Sequence, residues 1–273
     1  MAQPLAGHDI DAPLLSLVIP AFNERARLPR TLRILRRYLH DQSYAVEVIV
    51  VDDGSTDGTA DLVARRASRW PALRLIGTQH RGKGHAVRTG LLAVHGRYTF
   101  LCDADLSMPI TELPRFLPPI LPDVEVAFAS REGPHAHRYG EPLPRHLMGR
   151  AFNAVVRALA LPGIQDSQCG FKCIRSDIAW RLAGALTIDG WGFDVEMLYL
   201  ARRWGYRAVE IPIEWYYSPS SRIHPLRDSW TMTRDVWQVR RNARAGLYDR
   251  SPDWTTQVQP DRIGEPAPAR VEP

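Results

Sequence analysis

The chain alternates apolar runs with amphipathic stretches. Leu14 to Pro20 is a β-branched and leucine run ending in a proline, and Ala45 to Val51 is another. Leu28 to Leu39 between them is basic, with apolar residues at helical spacing, so the first 51 residues read as strand, helix, strand. Gly54-Ser55-Thr56-Asp57-Gly58 breaks the chain, Thr56 or Asp57 caps a helix through about Arg69, and Trp70-Pro71 leads into a short strand at Leu73 to Ile76. Arg81 to His95 predicts a glycine-started helix, followed by the apolar run Tyr98 to Cys102. Strands alternating with helices predict an α/β protein with a doubly wound, mostly parallel sheet, helices on both faces and ligands at the carboxyl ends of the strands.

The second half is less regular. Val124 to Ala129 predicts a strand running into Ser130-Arg131, and Glu132 to Pro144 is a loop rich in Gly, Pro and His. Helices are predicted at about Arg145 to Leu161, Asp177 to Ala185 and Phe193 to Trp204, with a last strand at Ala208 to Trp215. Leu226, Trp230, Thr233 and Trp237 fall on one helical face with Arg227, Arg234, Arg240, Arg241 and Arg244 nearby. Such a basic amphipathic helix, at about 226–248, suits either an anionic membrane surface or packing on the rest of the domain. The division that results is an N-terminal extension at 1–13, one domain over 14–250 and a disordered tail at 251–273.

Composition narrows the class. At 273 residues, 45% hydrophobic and 24% charged, the chain suits one large α/β domain with an ample core. No apolar stretch reaches the roughly 20 residues that span a bilayer, and Met1 to Asp11 lacks the basic and apolar regions of a signal peptide. A cytoplasmic protein is expected, peripheral at the cytosolic face of a membrane. Cys102, Cys169 and Cys173 have neither C-x-x-C spacing nor histidines at zinc spacing, so they read as buried reduced thiols. A formal charge of +5 favours anionic partners.

The chemistry gathers at predicted strand ends. Asp103 and Asp105, one residue apart after an extended run, project the same way and suit one hard divalent cation; alone, such a pair more often caps the next helix or faces water. Pro20-Ala21-Phe22-Asn23-Glu24 and Val51-Asp52-Asp53-Gly54-Ser55 follow the first two strands. They set an aromatic ring and carboxylates where a base can stack and its polar edge and ribose can be hydrogen-bonded. Arg81-Gly82-Lys83-Gly84 precedes a helix, so backbone N–H groups, Lys83 and the helix dipole can meet a phosphate or a sugar hydroxyl. Arg131 and Arg145 flank the Gly/Pro/His loop with guanidinium forks suited to phosphate. Asp194 and Glu196 open a helix, where carboxylates are favoured by the dipole, and His135 and His137 read as solvated loop residues.

Taken in order, Val18-Ile19-Pro20-Ala21-Phe22-Asn23-Glu24, Val51-Asp52-Asp53-Gly54-Ser55-Thr56-Asp57-Gly58-Thr59, Arg81-Gly82-Lys83-Gly84, Asp103-Ala104-Asp105-Leu106-Ser107, Ser130-Arg131, Asp166-Ser167-Gln168-Cys169-Gly170-Phe171-Lys172 and Gly192-Phe193-Asp194-Val195-Glu196 resemble a family 2 glycosyltransferase of the GT-A fold. Within that family the chain is similar to the dolichyl- and polyprenyl-phosphate glycosyltransferases, the dolichyl-phosphate glucosyltransferase branch especially. The resemblance implies that Pro20, Phe22, Glu24, Val51 and Asp53 surround the nucleotide. It further implies that Asp103 and Asp105 hold Mg²⁺ or Mn²⁺ on the donor's diphosphate, with Ala104 lining the pocket. Arg222 aligns loosely with a basic position that touches the donor phosphates in mannosyl members. Asp166 falls in a loop beneath the donor sugar, and Asp194 orients the sugar or its arginines. Ser107 stands where mannosyl members often carry glutamine, which tilts the donor away from GDP-mannose.

The expected activity is inverting transfer of a hexose, foremost glucose from UDP-glucose, to a polyprenyl or dolichyl phosphate. Such a phosphomonoester has a second pKa near about 6, so it is already anionic and needs arginines more than a strong base. The alternatives are a GDP-mannose-dependent polyprenyl-phosphate mannosyltransferase, a family 2 enzyme with a soluble acceptor, and a non-catalytic nucleotide-sugar-binding protein. No nucleic-acid partner is expected, and a nucleotidyltransferase is disfavoured because Pro20 to Glu24 is not a glycine-rich phosphate loop.

Overall fold

The computed structural model describes residues 13–218 and 225–249, and of 225–230 the backbone alone. The tail, nearly all of the N-terminal extension, Arg222, and the side chains of Leu226, Arg227 and Trp230 lie outside the described residues.

Seven strands form the main sheet: β1 (Leu15–Ala21), β2 (Val46–Asp52), β3 (Leu73–Gly77), β4 (Tyr98–Leu101), β5 (Val126–Ser130), β7 (Lys172–Arg175) and β8 (Ala208–Pro212). Their order is β3-β2-β1-β4-β7-β5-β8, all parallel except β7, which runs antiparallel to both neighbours. A small parallel ribbon joins β6 (His137–Tyr139) to β9 (Glu214–Tyr216). The helices are α1 (Leu28–His40), α2 (Thr59–Ala67), α3 (Lys83–Leu92), α4 (Leu143–Leu159), α5 (Ser176–Ala185), α6 (Phe193–Arg203) and α7 (Pro225–Arg244).

Alternation along the strands builds two cores. Val18, Ile49 and Val51 point to one face, under α3, α5, α6 and α7. Leu17, Ile19, Val48 and Val50 point to the other, under α1, α2 and a 3-10 segment at Ile110–Phe116. α1 buries Leu28, Leu32 and Leu35 and turns its arginines outward. The strands pair so that Pro20 lies beside Val51 and Ala21 beside Asp52, which brings the loops after β1 and β2 side by side at the sheet's carboxyl end.

The predicted last strand, Ala208 to Trp215, is two. β8 ends at Pro212, Ile213 donates its N–H to Ser130, and the chain leaves the main sheet to pair with β6. β6 itself lies in the segment expected to be loop. β7 is hidden in the sequence because its four residues begin with Lys172 and end with Arg175, charges that mask a buried central strand. Helix α3 stops at Leu92, three residues short of the expectation, and Gly96 packs against Ser16. All three cysteines are buried and unpaired.

Gly90 shows how closely α3 lies on the sheet: a Cβ there would sit 2.3 Å from Val18 Cγ1 and 3.0 Å from Val51 Cγ2. Gly149, on exposed α4, has open space instead, with nothing within 4 Å of where a Cβ would stand. Gly90→Val is expected to destabilise the fold by roughly 1–3 kcal/mol through overpacking. Gly149→Ala is expected to stabilise it by roughly 0.5–1 kcal/mol by restricting the unfolded chain and improving helix propensity. Urea midpoints read both; equal effects at the two positions would refute this account of α3 packing.

Candidate active site

The loops after β1, β2 and β4 meet at the carboxyl edge of the sheet. Phe22 stacks on His80 with ring centroids 3.9 Å apart and planes 14° from parallel. Asp53, 2% exposed, organises the loop before α3: its carboxylate meets His80 Nδ1 at 2.7 Å and accepts N–H bonds from Arg81 at 3.0 Å and Gly82 at 2.9 Å. Asp52 accepts from Ser55 N–H, while its buried Oδ1 has no hydrogen-bond partner among the described residues. Glu24 accepts from Arg27 Nε at 2.6 Å and also pairs with Arg27 Nη2, and its own N–H donates to Thr59. Pro20 and Val51 are neighbours in the sheet, and the Ala104 carbonyl accepts from Thr31 Oγ1 at 2.5 Å.

Asp103 and Asp105 leave β4 together, as the spacing predicts. Lys83 Nζ donates to Asp103 Oδ1 at 2.6 Å, and Arg27 Nη1 stands 3.8 Å from Asp105 Oδ2. Ser107 N–H donates to Asp105 Oδ1 at 3.1 Å. Burial raises a carboxyl's pKa, but the charge and hydrogen bond of Lys83, with Lys172 and Arg131 behind it, hold Asp103 below its ordinary value. Asp105 moves the other way: burial and the neighbouring charge of Asp103 outweigh Ser107 and Arg27 and raise it. Burial would lower Lys83, but the charges of Asp103, Asp194 and Asp105 keep it raised.

A second cluster faces this one. Arg131 makes a fork to buried Asp166, Nε to Oδ2 at 2.7 Å and Nη2 to Oδ1 at 2.9 Å, and its N–H adds a third bond. The guanidinium also lies 5.4 Å from the Trp215 ring, over its face. Arg138 Nε donates to the Arg131 carbonyl while its two terminal nitrogens hold Glu132 and Glu141. Arg145, in the first turn of α4, lies 5.1 Å from the Tyr217 ring. Asp194 is buried against Lys172, whose Nζ donates to Asp194 Oδ1 and to the Cys169 carbonyl, both at 2.5 Å. Burial still raises Asp194 against the pull of Lys172 and Lys83.

Glu196 has a different place. It accepts N–H bonds from Thr187 and Ile188 and the Tyr248 hydroxyl at 2.5 Å, tying the residues after α7 to the loop before α6. His135 and His137 are exposed, and among the described residues no group of three or more His, Cys, Asp or Glu forms a metal site. Arg27, His80, Arg138 and Lys172 join the site without a signal of their own in the sequence. Arg27 stands three residues after Glu24 and Lys172 two after Gly170, spacings that carry a signal only once the partner is known to be at the site.

The strand order with one antiparallel member, and carboxylates at three strand ends, define an α/β fold of the GT-A type. Solved structures share it. Mannosyl-3-phosphoglycerate synthase from Rubrobacter xylanophilus matches with TM-score 0.62 at 17% identity, covering 88% of this chain and 77% of that one. Glucosyl-3-phosphoglycerate synthase from Mycobacterium tuberculosis, in complex with Mn²⁺ and uridine-diphosphate-glucose, matches with TM-score 0.58 at 21% identity, covering 86% and 79%. Residues 16–183 match the family model described as Glycosyl transferase family 2, and the chain belongs to that family. Dolichyl-phosphate beta-glucosyltransferase of Dictyostelium discoideum is 32% identical over 258 residues, 88% of this chain and 77% of the relative. The Homo sapiens protein of that name is 30% identical, covering 86% and 77%.

The Arg131–Asp166 fork sets an acid limit on the fold. Burial opposes ionisation of Asp166, yet the Arg131 charge and its hydrogen bonds hold the carboxyl well below the ordinary range. The folded state therefore binds fewer protons than the unfolded chain around the free aspartate pKa of about 3.9. The pair's stabilisation is complete above that pH and is lost as pH falls toward the folded value. Asp105 and Asp194, with raised values, have the opposite sign: the folded state holds their protons longer than the unfolded chain does, so stability falls as pH rises from the free aspartate value through the raised ones. Asp166→Asn is expected to cost roughly 3–5 kcal/mol at pH 7 by leaving Arg131 uncompensated, and less at pH 3. Urea unfolding at both pH values reads this; an equal cost at the two would remove the ion pair's role.

Proposed function

We propose that the protein is an inverting glucosyltransferase that moves glucose from UDP-glucose to a dolichyl or polyprenyl phosphate. The observation that carries this is the carboxylate pair at the end of β4, set between a stacked aromatic pair and two arginines, one just after β5 and one in α4. Its relatives' names support the sugar and the lipid phosphate, and the absence of glutamine at Ser107 fits UDP rather than GDP-mannose.

The nucleotide half is read onto Pro20, Phe22, Glu24, Val51 and Asp53, with the unpartnered Oδ1 of Asp52 as an acceptor for a ligand N–H or hydroxyl. Asp103 and Asp105 fit a hard divalent cation, Mg²⁺ or Mn²⁺. They offer two carboxylates a residue apart at one strand end, Asp103 meeting Lys83 at 2.6 Å and Asp105 standing 3.8 Å from Arg27. When bound, such an ion supplies Lewis-acid stabilisation of the departing diphosphate. Lys83, at the N-terminus of α3, adds positive charge beside the same phosphates, and Arg222 is assigned to them by resemblance.

Arg131 and Arg145 hold the acceptor phosphate. Asp166 occupies Nε and Nη2 of Arg131, which fixes the fork and leaves Nη1 for the ligand. The phosphate is already anionic, so no strong base is required for its oxygen to attack the anomeric carbon in line with the departing UDP. Asp194, locked to buried Lys172, is read as orienting neighbouring groups. A single displacement inverts the anomeric centre. No described helix is long and apolar enough to cross a membrane, and we assign the protein a peripheral position on the cytosolic face.

Radiolabelled UDP-glucose incubated with polyprenyl phosphate and Mn²⁺ is expected to give label extractable into organic solvent, and GDP-mannose is not. Asp105→Ala is expected to lower that transfer by about 10²-fold or more while thermal unfolding stays cooperative. Lipid-phase label from GDP-mannose alone would overturn the donor, and none from any nucleotide sugar would overturn the acceptor.

A further inference from the structure

We infer that the outward face of α4, with the basic face of α7 beside it, docks on an anionic lipid bilayer. The inference rests on the lipid-phosphate reading of the site and names the surface that brings the protein to that acceptor. α4 is 17 residues long and buries Phe152, Asn153 and Val156. Its opposite face carries Leu143, Leu147, Ala151, Ala154, Val155 and Ala158, all exposed, with Leu143 at 67% and Leu147 at 56%. The spacing is that of one helical stripe, about 22 Å long at 1.5 Å per residue, with Arg150 and Arg157 along one edge. A soluble helix normally sets its polar residues on that side.

Two features say what covers the stripe. It starts beside the acceptor arginines: Arg145 is in the same first turn, and the stacked Tyr139 and Tyr216, 4.6 Å apart and both more than 40% exposed, edge the neighbouring ribbon. α4 also packs along α7, whose Arg234, Trp237, Arg241 and Arg244 lie at i, i+3, i+7 and i+10 and are exposed. A tryptophan set among arginines suits the headgroup layer, and an apolar stripe suits the acyl boundary beneath it. The expected α7 face of Thr233 and Trp237 is only half realised, since Thr233 is partly covered while Trp237 is 56% exposed. A second copy of the chain would have to bury the arginines of α7 against carboxylates, and the α4 stripe has none to offer in return.

The experiment uses the full chain, vesicles of phosphatidylcholine with and without phosphatidylglycerol, and two acceptors, a water-soluble short-chain prenyl phosphate and a vesicle-embedded polyprenyl phosphate. The parent protein is expected to sediment with the anionic vesicles at least about tenfold better than with the neutral ones. Leu147→Glu with Trp237→Glu is expected to lower that binding and the transfer to the embedded acceptor by about tenfold or more, with transfer to the soluble acceptor unchanged. Unchanged vesicle binding in the double variant overturns the docking surface, as does an equal loss on both acceptors. A dimeric parent made monomeric by Leu147→Glu with vesicle binding intact assigns the face to a second copy instead. Vesicle binding without transfer to either acceptor leaves the docking surface standing and overturns the lipid-phosphate reading.

Discussion

Two carboxylates leave the end of β4 a residue apart, and the elements around them are placed by the charge they carry. Lys83 reaches Asp103 from the start of α3, and Arg27 approaches Asp105 while committed to Glu24. Further back, the charge of Asp194 bears on Lys83, and buried Lys172 bears on Asp103 and Asp194. The signs alternate outward from the pair: Asp103, Lys83, Asp194, Lys172. Because Asp103 takes most of the positive charge, Asp105 is left with burial and a like-charged neighbour. That imbalance is what the proposed cation and diphosphate would relieve, since each compensates the charge of the other.

Such a cluster works only if backbone can come close to it. A Cβ on Gly170 would lie 2.1 Å from an oxygen of Asp103, and one on Gly84 2.3 Å from the Ile188 carbonyl. The loop before β7 is thus pressed against Asp103, and the turn that opens α3 against the backbone of the loop before α6, with no side chain between. Lys172 secures the first of these contacts by donating to the Cys169 carbonyl, and Asp53 secures the second by accepting from the backbone of Arg81 and Gly82. Asp53 thereby holds a loop in place, a task that the sequence does not suggest, in addition to the nucleotide role read onto it.

The first 105 residues are legible because β1, β2 and β4 are almost wholly buried and α1 and α2 are amphipathic, so periodicity and local structure agree. Legibility fails where long-range pairing overrides local preference. β7 is a central strand of four residues, held between β4 and β5 with a lysine whose charge is met inside by Asp194. Nothing local announces that partner, 22 residues away. β6 and β9 pair across most of the second half, and β-structure in a segment rich in Gly, Pro and His has no local signal. For the site, the residue types at strand ends were readable and their mutual engagement was not. Arg131 reads as a phosphate ligand, but only the structure shows two of its nitrogens already on Asp166, and Glu196, read as a carboxylate favoured by the helix dipole, is a tie for Thr187 and Tyr248.

The prior engagement of Arg131 bears on how the acceptor is recognised. A solvated arginine loses rotamer freedom when it grips a phosphate, and the grip is weaker by that amount. Here Asp166, itself held by Glu210 through its N–H, has already ordered the guanidinium, and the Trp215 face supports it from one side. The aspartate neutralises most of the charge, so the remaining Nη1 contributes direction more than attraction. Arg145 stands against Tyr217, whose ring face supports the guanidinium. For the proposed acceptor, a phosphate on a long apolar tail, direction is what Arg131 would have to add, because a tail held along α4 would already limit where its headgroup can go.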